Sequence, residues 1–129
     1  MTLSLREADA RVWLESEFNR VWPYLEPAIE KTKGRFSKET VWNDLERGNY
    51  QLWPLPNSGI VTEIITYPTG LKAVMMVFIG GKYKEIRNTL PAIYEWARGL
   101  GCTHAEGVTN PAWRRHGYEE MGVHIVKEI

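Results

Sequence analysis

The spacing of apolar residues changes along the chain, and each change predicts a new element. From Ala8 to Leu25 the residues Val12, Trp13, Phe18, Val21, Trp22 and Leu25 fall close to helical spacing, with Pro23 and Pro27 interrupting the pattern. That spacing predicts one or two helices, preceded by a short strand at Leu3 to Arg6. Ser37 stands ahead of KETVWNDLERG, with Glu39 and Thr40 in the first turn and Gly48 behind the last. These are the start and stop signals of a short helix that turns Val41, Trp42 and Leu45 inward.

The middle of the chain is different. YQLWPL, IVTEIITYP and LKAVMMVFIG are rich in β-branched and aromatic residues, and turn residues separate them at Pro56-Asn57-Ser58-Gly59 and Pro68-Thr69-Gly70. The pattern predicts a meander of three antiparallel strands. Alternation puts Val61, Glu63, Ile65 and Tyr67 on one face of the second strand and Ile60, Thr62, Ile64 and Thr66 on the other. Apart from Lys72 the third strand is apolar on both faces, as a central strand covered on two sides requires.

Beyond Gly80-Gly81 the period becomes helical again, with a stripe of Ile86, Leu90, Ile93, Tyr94, Ala97 and Leu100 closed by Gly99 and Gly101. Pro91 implies either a kink or a regular helix that begins near Thr89. CTHAEGV then reads as a strand, AWRRHGYEEM as a short helix stopped by Gly122, and VHIVKEI as a closing strand. The fold class is therefore α/β in the α+β sense: a mixed, mainly antiparallel sheet with helices on both faces, in one domain over residues 1–129. No repeat or low-complexity stretch divides it.

Composition narrows the setting. Sixteen basic and sixteen acidic side chains leave a formal net charge of zero, so no global field draws the chain to nucleic acid or to an acidic membrane. Cys102 is the single cysteine, which excludes an internal disulfide and a cysteine-rich metal site. The start MTLSLREADARVW has acidic residues by position 7 and no long apolar run, so neither a signal peptide nor a membrane span is expected, and the expected location is cytoplasmic.

Two features invite chemistry. Gly80-Gly81 stands between a strand and a helix, where it serves either as a turn or as a cradle whose backbone N–H groups meet an anion at the helix N-terminus. Trp113, Arg114, Arg115 and His116 form a basic, aromatic cluster that reads as a phosphate, adenosine or nucleic-acid contact, or as a solvated helix face with one tryptophan in the core. The six tryptophans read mainly as packing anchors, since Trp13, Trp22, Trp42 and Trp96 fall on apolar stripes.

The order of elements, the segment Ile79-Gly80-Gly81-Lys82 and the run NPAWRRHGYEEMGV from Asn110 to Val123 resemble the GNAT family, the acetyl-CoA-dependent N-acetyltransferases. In that family a glycine-bearing loop of the form R/Q-x-x-G-x-G/A holds the cofactor pyrophosphate. Here the matching place carries Ile79, Gly80, Gly81 and Lys82, without the leading basic or amide residue and the second spaced glycine. Asn110, Ala112, Tyr118 and Gly122 match a family helix beside the cofactor, with the Asn to Tyr spacing one residue longer than usual and Val123 in place of an aromatic. The resemblance implies acetyl-CoA as cofactor, Asn110 as a cofactor contact, and Tyr118 as the acid that protonates the departing thiolate. For the base the candidates are Glu63, Glu106, His104 and His124. Glu63 lies on an apolar strand face, where desolvation raises a carboxyl pKa, or where it is simply bonded to a neighbouring strand. His104 and Glu106 share a strand face, and two ligands fall short of a metal site.

Short motifs resemble the small GNAT-like proteins of tailed bacteriophages: Gly48 with Gln51-Leu52-Trp53, Val61-Thr62-Glu63-Ile64, Tyr67-Pro68, Gly80-Gly81, Trp96-Ala97 and Gly101-Cys102. If the chain is phage-encoded, its expected location is the cytoplasm of a bacterial host. Two functions follow from the resemblance. One is acetyl transfer to an amine on a small molecule or a protein. The other is a catalytically inactive GNAT-fold protein that binds a partner or belongs to a virion. An exposed closing strand at VHIVKEI would also offer an edge for a homodimer.

Overall fold

The computed structural model describes residues 4–129. Helix α1 runs from Leu5 to Glu30. The strand expected at Leu3 to Arg6 is replaced by the start of this helix, with Leu3 itself outside the described residues. The Ser4 hydroxyl accepts the Glu7 N–H at 3.1 Å and the Glu7 carboxylate accepts the Ser4 N–H at 3.0 Å, and this reciprocal cap fixes the helix start. Pro23 and Pro27 lie inside α1 without dividing it. Both are exposed, and the buried stripe of Phe18, Val21, Leu25 and Ile29 continues past them on the opposite side. Packing of that stripe outweighs the hydrogen bonds the prolines remove. Val12 and Trp13, expected on the stripe, are 68% and 55% exposed, because the side of α1 that meets the core runs through Leu14, Phe18, Val21 and Leu25 and passes both of them by.

Helix α2, Lys38–Glu46, begins at Ser37 as the sequence predicts, capped reciprocally by Ser37 and Thr40. Val41 and Leu45 are buried, and Trp42 stacks on Phe18 with ring centroids 5.8 Å apart. Ser37→Ala is expected to cost about 1 kcal/mol in a urea titration, because it removes the acceptor of the Thr40 N–H.

Strands β1 (Gln51–Leu55), β2 (Ser58–Thr66) and β3 (Lys72–Gly81) form the expected antiparallel meander. Helix α3, Tyr83–Gly99, then crosses over to β4, His104–Gly107, which lies parallel to β3. The strand order is β1-β2-β3-β4. Residues of β2 and β3 feed two cores. On one face Val61 and Phe78 join Phe18, Val21 and Leu25 of α1. On the other, Ile60, Val74 and Met76 join Ile86, Leu90, Ile93 and Ala97 of α3. The third strand is covered on both sides, as its unbroken apolar run requires.

Later elements depart from the sequence reading. Helix α3 starts at Tyr83, not near Thr89, and passes through Pro91 on its exposed side. Leu100, expected on the stripe, lies past the helix end and is 44% exposed. The helix expected over AWRRHGYEEM is a short 3-10 turn, Pro111–His116, opened by Asn110 Oδ1 accepting the Ala112 N–H and stopped by Gly117 at φ 83°, well before Gly122. The strand expected at VHIVKEI does not form: among the described residues no regular structure follows Gly117, and no neighbouring strand completes a ladder there. Strand propensity alone does not hold an unpaired segment extended.

Candidate functional site

Strands β3 and β4 part company at one end. Their parallel ladder runs from Ala73 opposite His104 to Met76 opposite Gly107 and stops, while β3 continues to Gly81. A β-bulge sits at the same point. Val61 pairs with Phe78 and Thr62 with Met76, which leaves Val77 as an extra residue against β2. A bulge bends and twists its strand. Because β4 ends at Gly107 while β3 goes on to Gly81, the β4 side of β3 has no strand partner beyond Met76 among the described residues, and this gap beside β3 forms a wedge.

The wedge leads to the N-terminus of α3. Lys82 is its N-cap and supplies no side-chain cap. The Lys82 N–H is used by Asn57 O at 3.3 Å, and the helix then opens at Tyr83 and Lys84. First-turn N–H groups of a helix have no intrahelical acceptor, and with the exposed Lys82 side chain they form a positive end that favours an anion.

Gly80 and Gly81 have structural reasons of their own. A Cβ on Gly80 would lie 1.8 Å from the Tyr24 carbonyl oxygen of α1, and one on Gly81 would lie 2.4 Å from Asn57 O, with Gly81 already at φ 112°. Ile79, half-buried, pairs with Ile60 and packs against the α3-side core. The loop residues therefore hold β3 against α1 and the β1–β2 turn.

Glu85, in the first turn of α3, ties that turn down. Its carboxylate accepts the Ser58 hydroxyl at 2.5 Å, the Asn57 N–H at 2.9 Å and the Asn57 side-chain amide at 3.1 Å. The Ser58 bond, then those from Asn57, hold the Glu85 pKa below its ordinary value. A depressed carboxyl pKa contributes stability that is present above the unfolded value, near 4.5, and is lost as pH falls through the lower folded value. The urea midpoint is expected to drop over that acid range, and Glu85→Gln to flatten the drop.

On the α3 side of the wedge the 3-10 turn closes over this helix end. Tyr83, Asn110, Ala112, Trp113, Arg115 and His116 line a cavity of about 290 Å³. The Tyr83 hydroxyl and His116 Nε2 are 2.8 Å apart, and Trp113 packs against the α3-side core. Asn110, expected beside the cofactor, thus shares a cavity with the first residue of α3. Of the basic, aromatic cluster, Trp113 anchors the turn, Arg115 and His116 face the cavity, and Arg114 is exposed and paired with Glu120 at 3.1 Å. Tyr118 lies on the same side with its hydroxyl 2.7 Å from that of Tyr94. Burial, then the Tyr94 hydroxyl, push its pKa well above the ordinary value of 10.0, so the phenol keeps its proton.

The opposite face carries the carboxylates. Glu63 pairs with Met75 and Met75 with Glu106, so the two glutamates flank one β3 residue a single rung before the ladder ends. Burial, then the charge of Asp44, raise the Glu63 pKa. The Glu106 carboxylate accepts the Tyr67 hydroxyl, and His104 Nδ1 lies 2.8 Å from the Thr103 hydroxyl. His124 is exposed in the irregular segment. Tyr118 and Glu63 therefore stand on opposite faces of the sheet. Among the described residues no three His, Cys, Asp or Glu side chains gather as a metal site, and no helix is long and apolar enough to cross a membrane.

Tyr83, Tyr94, Tyr67 and Glu85 carry no local sign in the sequence that they belong to this region. Each meets its partner across 24 or more residues of chain, and only the fold brings the pairs together.

No family model matches the chain, and neither does any curated protein. Solved structures do. Over 98% of its length the chain superimposes on 96% of the ribosomal-protein-alanine N-acetyltransferase of Brucella melitensis biovar Abortus 2308, with a TM-score of 0.59 and 12% identity. This chain shares that enzyme's fold. A tetramutant of the BH1408 protein of Bacillus halodurans matches with a TM-score of 0.59 and 11% identity over 89% of this chain and 94% of that one. The protein TTHA1254 of Thermus thermophilus follows with 0.51 and 15% over 74% and 83%. At these identities the likeness to an N-acetyltransferase is one of fold, and function rests on the site.

Proposed function

We propose that the chain is a GNAT-like acyltransferase that passes an acetyl group from acetyl-CoA to an amine. The observation that carries this reading is the wedge beside β3, opening where its ladder with β4 ends at Met76 and Gly107 and leading to the uncapped start of α3. The residues present fit such a group. Lys82 and the opening N–H groups of α3 suit its diphosphate, with Gly80 and Gly81 shaping the approach and Ile79 lining it. Asn110 and the aromatic cavity stand beside them.

Acetyl-CoA supplies a thioester carbonyl as acetyl donor. Glu63, its pKa raised by burial, takes the proton from an incoming ammonium and leaves a neutral amine able to attack. Tyr118, which burial keeps protonated on the α3 side, would offer its hydroxyl proton to the sulfur end of such a donor, and the second proton shed by the amine as the amide forms would restore the phenol. Amine nitrogen and thioester sulfur share one carbonyl carbon in this reaction. Glu63 and Tyr118, on opposite faces of the sheet, would therefore serve it only where the gap beside β3 lets both faces reach the same atom.

Release of free thiol from acetyl-CoA, followed with a panel of primary amines, tests the reading. Tyr118→Phe is expected to lower kcat by about tenfold or more, with little change in the KM for acetyl-CoA. Thiol release no faster than without protein, for every amine, would sink it. One observation favours a second reading, a non-catalytic GNAT-fold binding or virion module. Glu85 already places a carboxylate in the first turn of α3, and the two glycines are occupied by packing. A bacteriophage setting rests on the short sequence motifs alone.

A further inference from the structure

Strand β4 is an edge. Among the described residues it is bonded to β3 alone, so the backbone groups along its other side have no strand to meet. The other edge of the sheet is β1, and there Pro54 lacks an N–H and blocks a continuous ladder. β4 is therefore the edge open to augmentation.

The same chain carries an unpartnered segment built like a strand. Met121, Val123, Ile125 and Ile129 alternate with Gly122, His124, Val126 and Glu128, so one face is apolar apart from Lys127 and the other is mostly polar. All of the apolar ones are exposed: Met121 at 94%, Val123 at 75%, Ile125 at 85% and Ile129 fully. Among the described residues the segment forms no ladder with its own β4. Trp113, the Tyr83–His116 contact and the Tyr94–Tyr118 pair pin residues 113–118 onto α3, and the chain leaves that helix face with its apolar residues in water.

We infer that segment 121–129 adds as a strand to the open β4 edge of a second copy of this chain, which returns its own segment to the first. Both halves of the contact are present on every copy, which is the requirement for a closed two-fold pair. The exchange pairs the free β4 backbone and covers the exposed apolar row at once. This inference is independent of any acetyl transfer.

Sedimentation of the full chain, with hydrogen exchange of the amides of residues 121–129, tests it. The expected result is a species of twice the 14.9 kDa chain mass, with those amides protected in step with dimer formation. Ile125→Asp, at an exposed position that leaves the monomer fold and its far-UV circular dichroism unchanged, is expected to raise the dimer dissociation constant by about 100-fold and abolish that protection. A monomer at all concentrations overturns the inference. If its segment amides are protected, the segment closes its own sheet; if not, it pairs with nothing. A dimer that survives Ile125→Asp also overturns it, because another surface then joins the copies.

Discussion

Gly80→Ala is expected to lower the stability of the chain by about 3 kcal/mol or more, read from urea unfolding by tryptophan fluorescence. The added Cβ would stand 1.8 Å from the Tyr24 carbonyl oxygen and 2.7 Å from its carbon. Those are backbone atoms of a helix that four buried residues hold in place, so neither side has a flexible end to move. Gly59→Ala is the comparison. Its Cβ would meet Val21 Cγ2 at 3.1 Å, the end of a side chain, and its expected cost is about 1 kcal/mol. If Gly80→Ala changed stability by less than about 0.5 kcal/mol, α1 would not cross β3 where the fold has it.

Lys82→Glu is expected to separate ligand binding from folding. Reversing this exposed charge at the start of α3 should weaken acetyl-CoA binding by about tenfold at low salt, with a smaller effect at high salt, where the charges are screened. Folding should hardly respond. A carboxylate at a helix N-terminus gains about 0.3–1 kcal/mol from the dipole. Against this, the change removes a cation that favours the ionised Glu85 nearby. Calorimetry and urea unfolding on the same samples check both halves. An unchanged affinity would place the diphosphate elsewhere.

The contrast between these positions explains what the sequence made legible. The meander was readable because alternation and turn residues agree over β1, β2 and β3, and α2 because Ser37 and Thr40 cap it within one turn. Local signals failed where distant packing decides. Pro23, Pro27 and Pro91 read as breaks, yet each sits on the exposed side of a helix whose other side is core. The bulge at Val77 is invisible in the apolar run MMVF, since only pairing with β2 defines it. VHIVKEI has strand composition and, among the described residues, no partner within the chain.

The candidate site divides the same way. Gly80-Gly81 was legible as a special pair between strand and helix, but the Tyr24 and Asn57 carbonyls that require glycine there come from distant chain. Glu63 was recognisable as a carboxylate among apolar neighbours, and its raised pKa follows from that burial. The Tyr94 partner of Tyr118 and the Tyr83 partner of His116 carry no signal in sequence, because helix and 3-10 turn meet only in the fold.

Acetyl-CoA binding at the wedge and the start of α3 is the claim on which the proposed chemistry depends. Isothermal titration of the full chain with acetyl-CoA tests it directly. Saturable binding of one molecule per chain is expected, weakened in Lys82→Glu. No heat of binding up to about millimolar ligand would contradict it and leave the fold without its proposed chemistry.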